Sequence, residues 1–252
     1  MDKGGKKVRR IRLIVAYDGT NYCGWQVQPN GISVQAVLQK TIEELVGEKI
    51  MLTGASRTDS GVHALGQVAV FDTTKPWPAE RFTPALNQRL PRDIVIQSSD
   101  EVAADFHPRY RDTLKTYEYR ILNRRTALPN ERFDSYWVPQ PLDVEAMAEA
   151  AKLLLGKHDF HNFCSLKTDV EDTVRTITQI SVEKDGDMIR VRITGDGFLY
   201  NMVRIIVGGL LKAGFHKKTS EDIRISLASS ERFVVGPTAP AHGLTLEKIQ
   251  YL

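Results

Sequence analysis

The chain has 252 residues, 42% apolar and 26% charged, with a formal net charge of +3. That length holds one large domain or two small ones, and that composition can build a core without covalent staples. The only cysteines, Cys23 and Cys164, stand far apart in no metal-ligand spacing, which excludes a disulfide scaffold and points to a reducing compartment.

Taken in chain order, 1–9 is a basic tail, and the apolar run after it is too short for a signal segment. Residues 10–17 alternate as a strand. Ser33 is placed to cap a helix whose apolar positions are Val34, Val37, Leu38, Ile42 and Leu45, and Gly47 ends it. Ile50 to Thr53 and Gln67 to Thr73 read as strands flanking a turn. Pro78 opens a second helix with Phe82, Ala85, Leu86 and Leu90 on one face, and Ile94 to Gln97 returns as a strand. The order β-α-β-β-α-β is ferredoxin-like.

The second half predicts the same order. Thr113 to Leu122 is a strand with Tyr117, Tyr119 and Ile121 on one face. Asp143 caps a helix with Val144, Met147, Ala148, Ala151, Leu154 and Leu155 inward, ended by Gly156. Thr173 to Lys184 and Met188 to Thr194 flank the hairpin signal Asp185-Gly186. Tyr200 to Ala213 is a largely apolar helix, Ser220 to Ala228 a short polar one, and Leu244 to Tyr251 a last strand. The expected architecture is α+β: a half over 10–108 and a half over 109–252, with a cleft between them. The longest late apolar run, Ile205 to Leu211, contains Gly208 and Gly209 and is too short to span a bilayer. A soluble, cytoplasmic protein with no membrane partner is expected.

Chemistry concentrates in Arg57-Thr58-Asp59, followed by Ser60-Gly61-Val62-His63. A carboxylate in a tight turn beside a guanidinium is held ionised and oriented, as a nucleophile or base requires. The spacing alone fits a plain β-turn equally well. Trp25, in a loop opened by Asp18-Gly19, suits a hydrophobic plug or a base-stacking ring. Between Arg109 and Arg132, seven cations interleave with Tyr110, Tyr117 and Tyr119, the make-up of an RNA-facing surface or of a solvated sheet face. Arg204, on an apolar helix, needs a partner, for which Asp59 is a candidate. Gly195-Asp196-Gly197 lacks the dinucleotide fingerprint, Gly54 to Gly61 lacks a P-loop lysine, and His158-Asp159-Phe160-His161 lacks a metal-ligand register. His63 reads as catalytic or, in preference, as a structural neighbour of the turn.

The combination resembles the tRNA pseudouridine synthase A family. The residues that carry it are Tyr17-Asp18-Gly19-Thr20, Gly24-Trp25-Gln26, Ser56-Arg57-Thr58-Asp59-Ser60-Gly61-Val62-His63 and Gly66-Gln67-Val68. Phe106-His107-Pro108-Arg109, Lys115-Thr116-Tyr117-Glu118-Tyr119, Gly156-Lys157-His158-Asp159-Phe160, Phe198 to Arg204 and Gly243-Leu244 extend it over nearly the whole chain. The resemblance implies a pseudouridine synthase catalytic domain that converts uridine to pseudouridine at positions 38, 39 and 40 of the tRNA anticodon arm. It implies a homodimer without cofactor or metal. It implies that Asp59 is the catalytic aspartate, that Tyr117 stacks on the target base, that Arg57 and Arg204 surround the aspartate, and that Leu244 lines an apolar pocket. The family usually has Gly and Ala where Ser56 and Ser60 stand, and often Arg where Lys115 stands.

The reaction breaks the C1′–N1 bond, joins C1′ to C5 and removes the C5 proton. Asp59 is expected to attack the sugar or take its 2′ proton, with Arg57 or Arg204 keeping it charged. Tyr117 holds the uracil, Val203 and Leu244 exclude water, and Lys115, Arg109 and Arg111 meet phosphates. Two other classes stay open: a non-catalytic tRNA-binding or remodelling protein, and a carboxylate-pair hydrolase using Asp18 or Asp196 as its second acid.

Overall fold

The computed structural model describes residues 7–29, 31–165, 172–229 and 235–252, so most of the expected basic tail lies outside the described residues. The chain divides into two compact units, Met1–Arg111 with Leu246–Ile249, and Asp112–Thr245 with Gln250–Leu252. No helix among the described residues is long and apolar enough to cross a membrane.

The first unit contains β1 (Arg9–Tyr17), α1 (Val34–Val46), β2 (Thr53–Gly54), β3 (His63–Thr73), α2 (Phe82–Asn87) and β4 (Ile94–Val102). The strands are antiparallel in the order β4-β1-β3, with β2 on β3, the ferredoxin-like arrangement. Alternation along β1 buries Ile11, Leu13 and Val15 completely. Arg10 and Arg12 take the other face, bound to Asp72 and Asp100 on the neighbouring strands. Helix α1 has both expected caps: Ser33 Oγ accepts the Ala36 N–H at 3.2 Å, and Gly47, at φ 65°, donates to Glu43 at 2.8 Å.

Two expectations change here. The apolar run Ile50 to Thr53 enters the ladder only at Thr53, because Ile50 and Leu52 are buried as core side chains. Pro78 precedes a 3-10 turn, Ala79–Arg81, and α2 follows it; Phe82 and Leu86 are buried as predicted.

The second unit contains β5 (Thr113–Asn123), β6 (Tyr136–Val138), α3 (Val144–Lys152), β7 (Gly156–Asp159), β8 (Val174–Asp185), β9 (Met188–Gly195), α4 (Met202–Gly214), α5 (Ser220–Ala228) and the ends of β10 (Leu244–Tyr251). Its strand order is β10-β5-β9-β8-β7, with β6 parallel to β5. The frame β5-α3-β8-β9-α4-β10 is the second βαββαβ order, to which β6, β7 and α5 are added. Tyr117, Tyr119 and Ile121 face Ile193, Val191 and Ile189 across the ladder, and all six are buried. The β8–β9 hairpin turns at Gly186, whose φ of 57° suits a two-residue loop.

Gly156 does not end α3. The helix stops at Lys152, and Gly156, at φ 99°, starts β7 instead. Leu155 consequently falls outside the helix and is 41% exposed, whereas Met147, Ala151 and Leu154 are buried as predicted.

Candidate active site

Asp59 stands in the connection between β2 and β3, and the connection is held at nearly every residue before and after it. The Ala55 N–H donates to Val68 at 2.8 Å. The side chain of Gln67, fully buried on β3, accepts the Ser56 N–H at 3.1 Å and donates to the Ser56 carbonyl at 2.7 Å. A single amide thus satisfies both backbone groups of a buried residue, each of which would cost about 1–3 kcal/mol if left unpaired. The Thr58 hydroxyl lies 2.8 Å from the Tyr17 hydroxyl at the end of β1, and both residues are buried. After Asp59 the chain reverses: the Val62 N–H donates to the Asp59 carbonyl at 3.1 Å, with Gly61 at φ 77° in the position that demands positive φ. Asp59 itself is half-buried, so its carboxylate is fixed at its base and remains reachable.

The loop after β1 braces this turn from one side. The Trp25 N–H donates to the Thr58 carbonyl at 3.1 Å, and the Tyr22 carbonyl accepts from the Gly61 N–H at 3.3 Å and from the Ser60 hydroxyl at 3.2 Å. Gly24 allows this approach: at φ 101°, a Cβ there would sit 2.5 Å from the Thr58 carbonyl oxygen. Trp25 is 1% exposed and tilted against Tyr17, so it is a plug and offers no face to a base.

His63, buried at the start of β3, joins the same loop. The Gly19 N–H donates to His63 Nδ1 at 3.0 Å, while Asp18 Oδ1 lies 3.1 Å from that nitrogen. Burial pushes the Asp18 carboxyl up, but hydrogen bonds from the Thr20 hydroxyl and N–H, together with His63, hold it below the ordinary 3.8. His63 is therefore a structural neighbour of the turn, as expected.

The cations near the turn are placed differently from the sequence expectation. Arg57 is exposed and makes no hydrogen bond or ion pair among the described residues, so its spacing from Asp59 does not create a pair. Its charge, after burial, pushes the Arg109 guanidinium down. Arg109 donates to the Gly54 carbonyl at 3.0 Å, which ties the segment after β4 to the strand preceding the turn. Arg111 lies over the Phe106 ring at 5.6 Å and 3.5 Å from Asp105.

The remaining predicted residues belong to the second unit. Tyr117, 7% exposed in the middle of β5, meets Phe198 edge-on at 5.1 Å between ring centres. Val203 and Leu244 are 4% and 5% exposed, suited to an apolar wall. Lys115 is half-buried on β5, opposite Gly195. Arg204 donates to the Ala239 carbonyl at 2.7 Å and to Asn201 Oδ1 at 2.8 Å, which anchors a cation on an otherwise apolar helix. Burial pushes the Tyr119 phenol strongly up, and the positive charge of Arg204 opposes that rise.

The basic stretch 109–132 is partly spent on structure. Arg120 binds Glu131 at 3.0 Å and also Asp134, Arg124 lies 3.3 Å from Asp187, and Arg132 covers the Phe133 ring. Tyr119 is fully buried, with its hydroxyl on the Pro240 carbonyl at 2.8 Å, so it is not an RNA-facing ring. The two candidate second acids are also occupied: Asp18 caps Thr20, and Asp196 Oδ1 accepts the Thr176 N–H at 2.9 Å. Gln67 belongs to the Gly66-Gln67-Val68 motif that carries the resemblance, but nothing in the sequence assigns it to the turn, and Tyr22 shows only as an aromatic in a loop.

Comparison with known proteins shows the family. A family model described as tRNA pseudouridine synthase matches residues 13–111 and 150–252. A protein named tRNA pseudouridine synthase A 2, from Clostridium perfringens, is 48% identical over 244 residues, covering 97% of this chain and 100% of the relative. A tRNA pseudouridine synthase A from Acetivibrio thermocellus is 48% identical with the same coverage. That of Halalkalibacterium halodurans is 48% identical over 238 residues, 94% of this chain and 90% of the relative. The chain belongs to the tRNA pseudouridine synthase family.

Proposed function

We propose that this protein is a cytoplasmic, homodimeric isomerase that converts uridine to pseudouridine at positions 38, 39 and 40 of the tRNA anticodon arm, with Asp59 as the residue that starts the reaction. Family membership carries the isomerisation on tRNA. The observation that favours Asp59 is its setting: a half-buried carboxylate on a turn fixed by Gln67, Tyr17, Tyr22 and Trp25.

Asp59 promotes departure of the base, either by attacking C1′ or by taking the 2′ proton. N1 leaves C1′ with the bonding pair, the uracil turns, and C5 joins C1′ as the Asp59 carboxylate departs or the 2′ proton returns; C5 then loses its proton and N1 takes one up, so the net change is an isomerisation. Tyr117 stacks on the uracil, and Val203 and Leu244 keep water from C1′. Arg204, anchored by Ala239 and Asn201, keeps positive charge near the reacting groups. Arg57, Arg109, Arg111 and Lys115 meet phosphates and repay the few kcal/mol needed to extrude a paired nucleotide.

The test is tritium release from 5-tritiated uridine in unmodified tRNA transcripts that keep uridine at position 38, 39 or 40 only. Release from each transcript, and none from a transcript lacking all three, is the expected result. Release that does not depend on those positions would overturn the site assignment, and free uracil without isomerisation would overturn the reaction.

A further inference from the structure

His107 and Tyr110 form an aromatic step for which the proposed chemistry has no role. His107 Nδ1 accepts two backbone N–H groups, from Arg109 at 3.1 Å and from Tyr110 at 3.3 Å. Those bonds fix the imidazole and require a lone pair on Nδ1, so the ring is neutral while the turn holds. Burial, then the charges of Arg109 and Arg10, push the His107 pKa below its ordinary value, in the same direction. The Tyr110 ring lies flat on the imidazole, 4.2 Å between centres and 25° from parallel. Its outer face is open: Tyr110 is 80% exposed.

A tyrosine this exposed gains little by burial, yet its ring rests flat on an imidazole that two backbone bonds hold. Ordering a side chain before a ligand arrives removes part of the entropy cost of binding. Charge around the step suits a polyanion. Arg109, the next residue, reaches the Gly54 carbonyl at 3.0 Å and feels the charge of Arg57, which is exposed and unpaired among the described residues. Asp105 lies 3.5 Å from Arg111 and its charge also acts on Arg10, so neither it nor any carboxylate in an ion pair among the described residues answers Arg57. A flat open ring beside unpaired cations is the chemistry that binds an unpaired base together with its phosphate. Arg109 also connects the step to the strand that leads into the turn carrying Asp59.

We propose that the Tyr110–His107 pair is a stacking platform for an unpaired base of the tRNA, the neighbour of the nucleotide that reacts. Extruding one nucleotide leaves an adjacent base without a stacking partner, and the Tyr110 ring replaces that lost contact. This rests on the synthase reading of the site, and adds a binding residue to it.

The experiment uses the full-length protein and an anticodon-arm transcript carrying 2-aminopurine beside the target uridine. Fluorescence quenching and affinity are read for the parent, Tyr110→Ala and Tyr110→Phe. A stacked base costs about 5-fold or more in affinity when its aromatic partner is removed. Tyr110→Ala is therefore expected to bind at least about 5-fold more weakly and quench less, while Tyr110→Phe stays within about twofold of the parent. The salt dependence of Tyr110→Ala is expected to match the parent, because no cation is lost. Binding of Tyr110→Ala within twofold of the parent would overturn the platform, as would equal losses in both variants. Tritium release by the parent is measured in parallel. Its absence counts against the synthase reading, whereas a missing Ala–Phe contrast in a protein that releases tritium counts against the platform alone.

Discussion

The hydroxyls of Tyr17 and Thr58 lie 2.8 Å apart, joining the last residue of β1 to the residue immediately before Asp59. This contact makes the position of the acid depend on a strand distant in sequence. Tyr17→Phe removes one partner and leaves the Thr58 hydroxyl buried without this bond. A loss of about 1–2 kcal/mol in stability is expected, read as a lower urea midpoint with unchanged slope. The turnover rate should fall with little change in tRNA affinity, because Asp59 shifts while the cations stay.

Gln67 tests the turn from the opposite side. Gln67→Leu keeps the apolar strand and removes both bonds to Ser56 as well as the acceptor for the Val68 N–H. The expected cost is about 3 kcal/mol, larger than for Tyr17→Phe because more than one buried backbone group loses its partner. Thermal unfolding of the two variants side by side checks the ranking. A smaller loss for Gln67→Leu would mean that Ser56 finds other partners.

Asp18 gives the pH dependence a sign. Its carboxyl is held below 3.8 in the folded protein, so its charge stabilises the fold above the unfolded value, and that contribution disappears as pH falls through the folded value. Its side chain is 50% exposed, so the effect is under about 1 kcal/mol. In Asp18→Asn the amide oxygen still accepts from Thr20, but the charge is gone. The parent should therefore be the more stable protein from about pH 5 to 7, with the gap closing below about pH 4. A gap that stays constant down to about pH 2 would contradict this origin.

How far the sequence carries depends on how local each signal is. Ser33, Gly47 and Asp143 mark helix ends through bonds to residues three or four positions away, and all three are found in those roles. The β8–β9 hairpin is equally local. In contrast, β6 and β7 are strands of three and four residues that exist only because distant strands pair with them. Gly156 shows the ambiguity of one residue type: positive φ suits a helix end and a strand entry alike. At the site, Asp59 stands out as an acid in a turn, but the groups that hold it come from β1, from β3 and from the loop after β1. Arg57 shows the reverse limit. Two residues of spacing suggest an ion pair, and the exposed side chain does not make it.

The central claim is that Asp59 starts the reaction and does not merely support the fold. Asp59→Asn changes one oxygen to nitrogen and leaves the backbone bond from Val62 in place. With 5-tritiated uridine in an unmodified transcript, the variant is expected to bind tRNA like the parent and to release no tritium. Tritium release by Asp59→Asn at the parent's rate would contradict the account.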